Sequence, residues 1–235
     1  MSIADRAGFI RANTRLLPVP HAPELRLHLA DEATDLWQKT EDELGQIGLP
    51  PPYWAFAWAG GQALARYVLD RPALLKGLSV LDFAAGSGLS AIAAARCGAA
   101  RVVANDIDAF AAAAIRLNAE ANGVALEIDT SDLIGRDEWQ VVLAGDVCYE
   151  REMGARVTEW LLALAARGRT VLLGDPGRSY LAKDRLERLA EYAVPTTRAL
   201  EDTEVRRTAV WRPLMPGVSA TPGPAPASGS DAAGP

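Results

Sequence analysis

From Ser79 onward the chain keeps one rhythm: a short apolar run, then a helical period, then another run. VLDFA precedes a helical stretch from Leu89 to Cys97, and RVVAND precedes one from Ala109 to Asn122. ALEIDT follows; WQVVLAGD leads into Glu152 to Ala166, and RTVLLGD into Tyr180 to Tyr192. Aliphatic runs of this length, without polar alternation, read as strands covered on both faces. Repeated β-α predicts a parallel sheet between helical layers, an α/β Rossmann-like architecture. Such sheets bind ligands beyond the carboxyl ends of their strands, near the switch point. Two last extended runs, Val194 to Leu200 and Val205 to Arg212, have no helix between them and predict a closing antiparallel pair.

The flanks divide the chain further. Residues 1–49 read as a small helical N-terminal lobe with one extended piece, Leu25 to Leu29, and an acidic helix from Asp31 to Leu44. The prolines of LPPPY, residues 49–53, stop regular structure. Trp54 to Trp58 then lead into a helix that runs to about Leu69. Residues 50–215 are expected to form the main domain. Residues 216–235 are Pro, Gly, Ala and Ser with little to bury, and a disordered tail is expected there.

Hydrophobic residues make up 49% of the chain, enough for a substantial core, and the formal net charge is -6. A chain that works on phosphate backbones carries a basic stripe, and none is visible. Proteins or small molecules are therefore the expected partners, with no nucleic acid. No run reaches the roughly 18 apolar residues of a membrane span, so no membrane partner is expected. Arg6, Arg11 and Arg15 surround Phe9 and Ile10, but Asp5 argues for an ordinary surface helix over a transit peptide. The two cysteines, Cys97 and Cys148, have no C-x-x-C spacing. No metal site or disulfide is expected, and a reducing, cytoplasmic setting suits them.

The first turn carries the chemistry. Gly86-Ser87-Gly88-Leu89-Ser90-Ala91 fits the G-x-G-x-x-G/A pattern, which lets backbone approach a ligand at a helix N-terminus. Dinucleotides and S-adenosylmethionine both use such a turn. Asp82, four residues before Gly86, separates them. A pyrophosphate would be repelled by it, whereas the sulfonium and ammonium of S-adenosylmethionine would be favoured. Asp82 could also cap the helix that starts near Gly88. Asp106 ends the next strand, about 20 residues past the turn, where a ribose diol is held. Asp132, after ALEIDT, stands where a carboxylate could hold the adenine amino group, or is a plain turn residue. The closing antiparallel pair also favours S-adenosylmethionine over NAD.

VLDFAAGSG resembles motif I of the seven-β-strand methyltransferases. Asp146-Val147-Cys148-Tyr149 resembles the D/E-x-x-Y/F motif of their protein lysine methyltransferase branch, and PPYWAFAWAGGQALARYVL is similar to the tryptophan segment ahead of motif I there. With ANDID, the resemblance spans roughly Pro50 to Arg212 and is nearest to the electron transfer flavoprotein β-subunit lysine methyltransferases. It implies a sheet of order 3-2-1-4-5-7-6 with strand 7 antiparallel, and methyl transfer to lysine side chains of a protein. It implies that Asp82, Gly86, Ser87 and Gly88 line the methionine end, that Asp106 binds the ribose, and that Trp58 lies beside the cofactor. Asp146 and Tyr149 would form the wall where the lysine enters.

Other readings remain open at this point. Trp54 and Trp58 could share one buried helix face, Tyr149 could be core, and Asp175-Pro176 reads as a turn. Cys148 has no nearby histidine to activate it. A small-molecule N-methyltransferase uses the same fold. The ribosomal-protein L11 type generally adds an N-terminal domain and an N-P-P-Y-like motif, neither of which is seen. An NAD(P)-dependent oxidoreductase would want Tyr-x-x-x-Lys, and Tyr180 to Lys183 is only Y-x-x-K. A non-catalytic module is disfavoured by the intact Asp82, Gly86, Gly88 and Asp106.

Overall fold

The computed structural model describes residues 4–30, 36, 45, 51–197 and 203–214. The acidic stretch at 31–35 and 37–44 and the tail at 216–235 lie outside the described residues. The elements are α1 (Arg6–Asn13), β1 (Arg15–Val19), β2 (Ala22–Leu29), α2 (Ala59–Leu69), β3 (Ser79–Phe83), α3 (Leu89–Arg96) and β4 (Arg101–Asn105). They continue with α4 (Ala109–Ala121), β5 (Glu127–Asp129), β6 (Val141–Gly145), α5 (Arg151–Ala166), β7 (Thr170–Asp175), β8 (Leu186–Pro195) and β9 (Val205–Pro213).

Seven strands form one sheet in the order β5-β4-β3-β6-β7-β9-β8. Numbered within the sheet, this is 3-2-1-4-5-7-6, the expected order. The first five strands are parallel, and β9 runs antiparallel to both neighbours. The strand order reverses between β3 and β6, so the crevice at their carboxyl ends is the switch point.

One face of the sheet buries Leu64, Val68, Ile92 and Leu143 among α2 and α3. The other packs Trp160, Leu161 and Leu164 of α5 on Phe83, Val142 and Leu173. These strands are apolar on both sides because both sides are covered. The Phe83 and Trp160 rings meet edge to face at 5.0 Å between centroids.

Glycines set how closely α2 lies on the sheet. A Cβ at Gly60 would stand 2.2 Å from the Gly174 carbonyl oxygen, and one at Gly174 would stand 2.1 Å from that of Gly60. No side chain fits between these backbones. The N-terminus of α2 is thereby pressed against the carboxyl end of β7, beside the crevice.

Residues 4–30 hold one helix and a two-stranded hairpin, where the sequence predicted a single extended piece, Leu25 to Leu29. The hairpin docks through side-chain amides one turn apart on α4. Asn118 accepts from the His28 amide at 2.7 Å, and Asn122 accepts from the Arg26 amide at 3.0 Å while donating back to its carbonyl at 2.6 Å. The backbone of β2, which pairs with β1 alone, is satisfied without a further strand.

The stretch from Tyr180 to Tyr192 corrects the sequence reading. It holds a 3-10 turn at Lys183–Arg185 and then β8, where a helix was expected. The register of β8 on β9 shifts between Arg188 and Ala190. Leu186, Leu189, Ala190 and Ala193 stand at helix-like spacing in the sequence, but in β8 Leu186 joins one core, Leu189 and Ala190 pack on the other and Ala193 is exposed, because the open side of β9 supplies a ladder that outweighs helix propensity. The antiparallel pair is present as expected, and its first strand starts eight residues earlier than Val194. No helix of the described residues is long and apolar enough to cross a membrane. Cys97 and Cys148 are buried, free thiols.

Candidate active site

A cleft of about 590 Å³ opens at the carboxyl ends of β3, β4 and β6. Its size suits a ligand of cofactor dimensions. It is lined by Trp58, Asp82, Gly86, Ser87, Asp106, Asp132, Asp146 and Tyr149, so the expected site residues converge on one cavity. Gly88 stands just behind them, and a Cβ there would come within 3.1 Å of Ile115.

The floor is the turn between β3 and α3. Ala84, Gly86 and Gly88 have φ of 53°, 51° and 80°. Positive φ costs little at glycine and more at alanine, so Ala84 is held there by its surroundings. Gly88 caps α3 without a side chain of its own. Asp82 supplies the missing acceptor, taking the Ala91 amide at 2.8 Å from within β3. Asp82 thus caps the helix and also lines the cleft; the two roles are compatible.

Asp82 is only 2% exposed. Burial pushes its carboxyl up to about 7, against the Ala91 hydrogen bond, with the charge of Asp106 adding to the rise. Asp106 is itself held above the ordinary carboxylate range by burial, opposed by amide hydrogen bonds from Asp108 and Gly86. Two carboxylates beside the glycine turn make an environment hostile to a pyrophosphate. A ligand bearing positive charge relieves both.

The tip of β4 is wired to the floor. Asp106 accepts from the Gly86 amide at 2.9 Å and from the Asp108 amide at 3.0 Å. Each of its oxygens keeps accepting capacity for a diol. Buried Asn105 donates to the carbonyls of Asp129 and Ser131, 2.9 Å each, and so fixes the loop after β5. On that loop Asp132 accepts from the Ile134 amide at 3.0 Å and pairs with Arg156 at 3.3 Å. It is an exposed turn residue at the cleft edge.

The wall after β6 holds what the sequence left unread. Asp146 has φ 58°, a left-handed conformation that Asp tolerates better than most residues. One of its oxygens accepts from the Gly61 amide at 2.9 Å, and the other pairs with Arg178 at 2.9 Å. The Arg178 guanidinium lies 5.7 Å from the Trp58 ring centroid. Tyr149 is exposed, and Tyr53 links it to Trp58 in one aromatic group: the Tyr53 ring centroid lies 5.7 Å from that of Tyr149 and 6.0 Å from that of Trp58. Trp54, four residues before Trp58, is core: it is 1% exposed and stacked on Phe110. Trp58 is half-buried in the cleft and donates its indole N–H to the Tyr53 carbonyl at 2.9 Å.

Cys148 is no nucleophile here. Burial and then the nearby Asp175 push its thiol up to about 12, so it stays protonated. The Asp175-Pro176 turn is real: the Asp175 carboxylate accepts from the Gly177 and Arg178 amides at 2.6 Å and 2.7 Å. Its position at the tip of β7, on the same edge as the other strand tips, was the one signal that could have pointed to Arg178.

The ribosomal protein L11 methyltransferase family model matches residues 62–146, which hold the glycine turn and the tips of β4 and β6. Curated relatives match far more of the chain. The electron transfer flavoprotein beta subunit lysine methyltransferase of Xenopus laevis is 38% identical over 212 residues, 87% of this chain and 85% of its own length. The Homo sapiens protein of that name is 36% identical over 213 residues, 87% of this chain and 80% of its own. The Caenorhabditis elegans homolog is 35% identical over 222 residues, 83% and 90%. At that identity over that length, this chain belongs to the electron transfer flavoprotein beta subunit lysine methyltransferase family.

Proposed function

We propose that this methyltransferase moves a methyl group from S-adenosylmethionine to a lysine side chain of a protein, and that the protein is the electron transfer flavoprotein β subunit. The observation that carries the reading is one cleft with two halves. One half is the glycine turn with Asp82 and Asp106; the other is the Asp146, Trp58 and Tyr149 wall. The relatives' names supply the substrate.

The residues fit the donor, whose contribution is a methyl group already activated on a sulfonium. Asp82, Gly86, Ser87 and Gly88 would hold its methionine end, Asp106 the ribose hydroxyls, Asp132 the adenine amine, and Trp58 one side. Asp146 and Tyr149 would receive the acceptor. Displacement at an activated carbon needs little acid-base machinery, so placement supplies most of the acceleration. The acceptor does have to arrive without its proton. A free lysine has a pKa near 10.4, and neutralising it at pH 7 costs about 4–5 kcal/mol. The aromatic group at the mouth offers a partly apolar environment that lowers this cost and a face suited to a cationic product.

The reading is tested by incubating the purified protein with radiolabelled S-adenosylmethionine and a cell extract. A labelled protein band, with label on lysine after hydrolysis, is expected. Label confined to small molecules would make this chain a small-molecule methyltransferase.

A further inference from the structure

We propose that Arg178 is a positioning residue for the methyl-accepting amine: by pairing with Asp146 it fixes that carboxylate and cancels its charge, so that the lysine meets the cofactor as a neutral nucleophile. The proposal rests on the lysine methyltransferase reading of the cleft.

The contact is well sheltered. The Arg178 and Asp146 side chains are 19% and 12% exposed and meet at 2.9 Å. Asp146 is held on its other oxygen by the Gly61 amide, at the start of α2. Arg178 is held from behind, because Asp175 at the tip of β7 accepts its backbone amide at 2.7 Å. The arginine therefore bridges the tips of β7 and β6, and its guanidinium also faces Trp58. Arg178, Asp146 and Trp58 all line the cleft.

A lone carboxylate beside an entering lysine would favour the ammonium, which has no lone pair to give. A carboxylate already matched by a guanidinium removes most of that bias. It still has accepting capacity on both oxygens to orient an N–H. Arginine keeps its charge at every pH where a lysine titrates, so the match does not lapse. A Lys at 178 keeps the charge, though it cannot reproduce the planar fork.

Other ionisable groups face the same space. Asp82 and Asp106 stand at the tips of β3 and β4, and Asp175 and Lys183 flank the turn that carries Arg178. Cys148, Tyr149 and Glu150 follow Asp146, and the Asp132–Arg156 pair lies across the cleft. Asp82 is raised to about 7 in the ligand-free cleft, and a cationic cofactor beside it favours the ionised form, so at saturating S-adenosylmethionine any limb from Asp82 lies lower and is common to every variant with Asp82 intact. The acceptor limb is recognised because it alone moves with residue 178.

The experiment compares pH profiles of kcat for the wild type, Arg178→Met and Arg178→Lys, with recombinant electron transfer flavoprotein β subunit and saturating S-adenosylmethionine. For Arg178→Met the acceptor limb should move up by about one pH unit. The rate should fall about tenfold near pH 7 and converge on wild type near pH 10. Arg178→Lys should keep the limb within a few tenths of a unit, and calorimetric affinity for S-adenosylmethionine should stay within a few-fold in both. A loss equal at every pH would overturn the proposal by showing a purely structural role. A limb that moves down would overturn it by showing that Arg178 competes with the lysine for Asp146. If Arg178→Met does not fold, Arg178→Lys decides alone: a limb raised by a full unit, or a uniform loss, contradicts the proposal. If the wild type leaves the β subunit unlabelled, the substrate reading fails, and the profiles are taken on a protein labelled in an extract. If no protein is labelled at any lysine, both the reading and the proposal fall.

Discussion

The Gly86 amide donates to the Asp106 carboxylate at 2.9 Å, which makes the turn after β3 and the tip of β4 one unit. Asp106→Ala removes both the turn's anchor and the acceptor for a ribose diol. S-adenosylmethionine should bind two or more decades more weakly, about 3 kcal/mol, with the protein still folded. Isothermal calorimetry checks this, and an unchanged affinity would remove Asp106 from the cofactor site.

Asp82 makes stability depend on pH. Its carboxyl titrates at about 7 when folded, above the ordinary 3.8, so the folded state keeps a proton that the unfolded state releases. The stability from this proton is complete below about pH 4, is lost as pH rises to about 7, and is then constant. Asp82→Asn retains an acceptor for the Ala91 amide and cannot ionise. Urea denaturation should show its stability rising relative to wild type between about pH 4 and 7, with a flat difference above. A difference independent of pH would place the Asp82 titration elsewhere. A cationic ligand beside Asp82 should also expel the proton. Calorimetry near pH 6 in two buffers should then show proton release that the variant lacks.

Gly60→Ala tests the seam between α2 and β7. The added methyl would overlap backbone at 2.2 Å, an atom that cannot swing aside. A loss of about 1–3 kcal/mol is expected, read as a lowered Tm. Asp146 Oδ2 lies 2.5 Å from the same methyl position, so activity should fall more than stability predicts. An unchanged Tm would mean that α2 can lift off the sheet without cost.

Asp146→Asn keeps size and tolerates the left-handed backbone, and it removes the charge that pairs with Arg178. Cofactor affinity should stay within a few-fold, while methyl transfer falls by about two to three decades, or roughly 3–4 kcal/mol. Tyr149→Ala should show the same pattern more weakly. Calorimetry alongside initial rates separates the outcomes. A loss confined to cofactor binding would move Asp146 to the cofactor side of the cleft.

The sheet and half of the cleft are legible in the sequence because their signals are local. VLDFA and RVVAND are buried strands, and Asp82 near the end of the first and Asp106 just past the second fall at the binding edge by the geometry of a parallel sheet. The glycine turn announces itself by composition. β8 is not legible, since Leu186, Leu189, Ala190 and Ala193 stand at helix spacing in the sequence and the ladder that makes the stretch a strand comes from β9, further along the chain. Arg178 is not legible either. Its meaning depends on the approach of the β7 tip to the β6 tip and on Gly60 letting α2 close over both, and no spacing along the chain encodes that meeting. Asp146 was legible as a strand-tip acid, and its pairing was not.

The central claim, methyl transfer to a protein lysine, is tested most directly by mass spectrometry of purified electron transfer flavoprotein β subunit after incubation with this protein and S-adenosylmethionine. The account predicts methyl increments on lysine with the wild type, none without the cofactor, and at least a hundredfold slower modification with Asp146→Asn. A β subunit that stays unmodified while the protein binds S-adenosylmethionine tightly would contradict the assigned substrate, and methylation of equal rate by Asp146→Asn would contradict the assigned site.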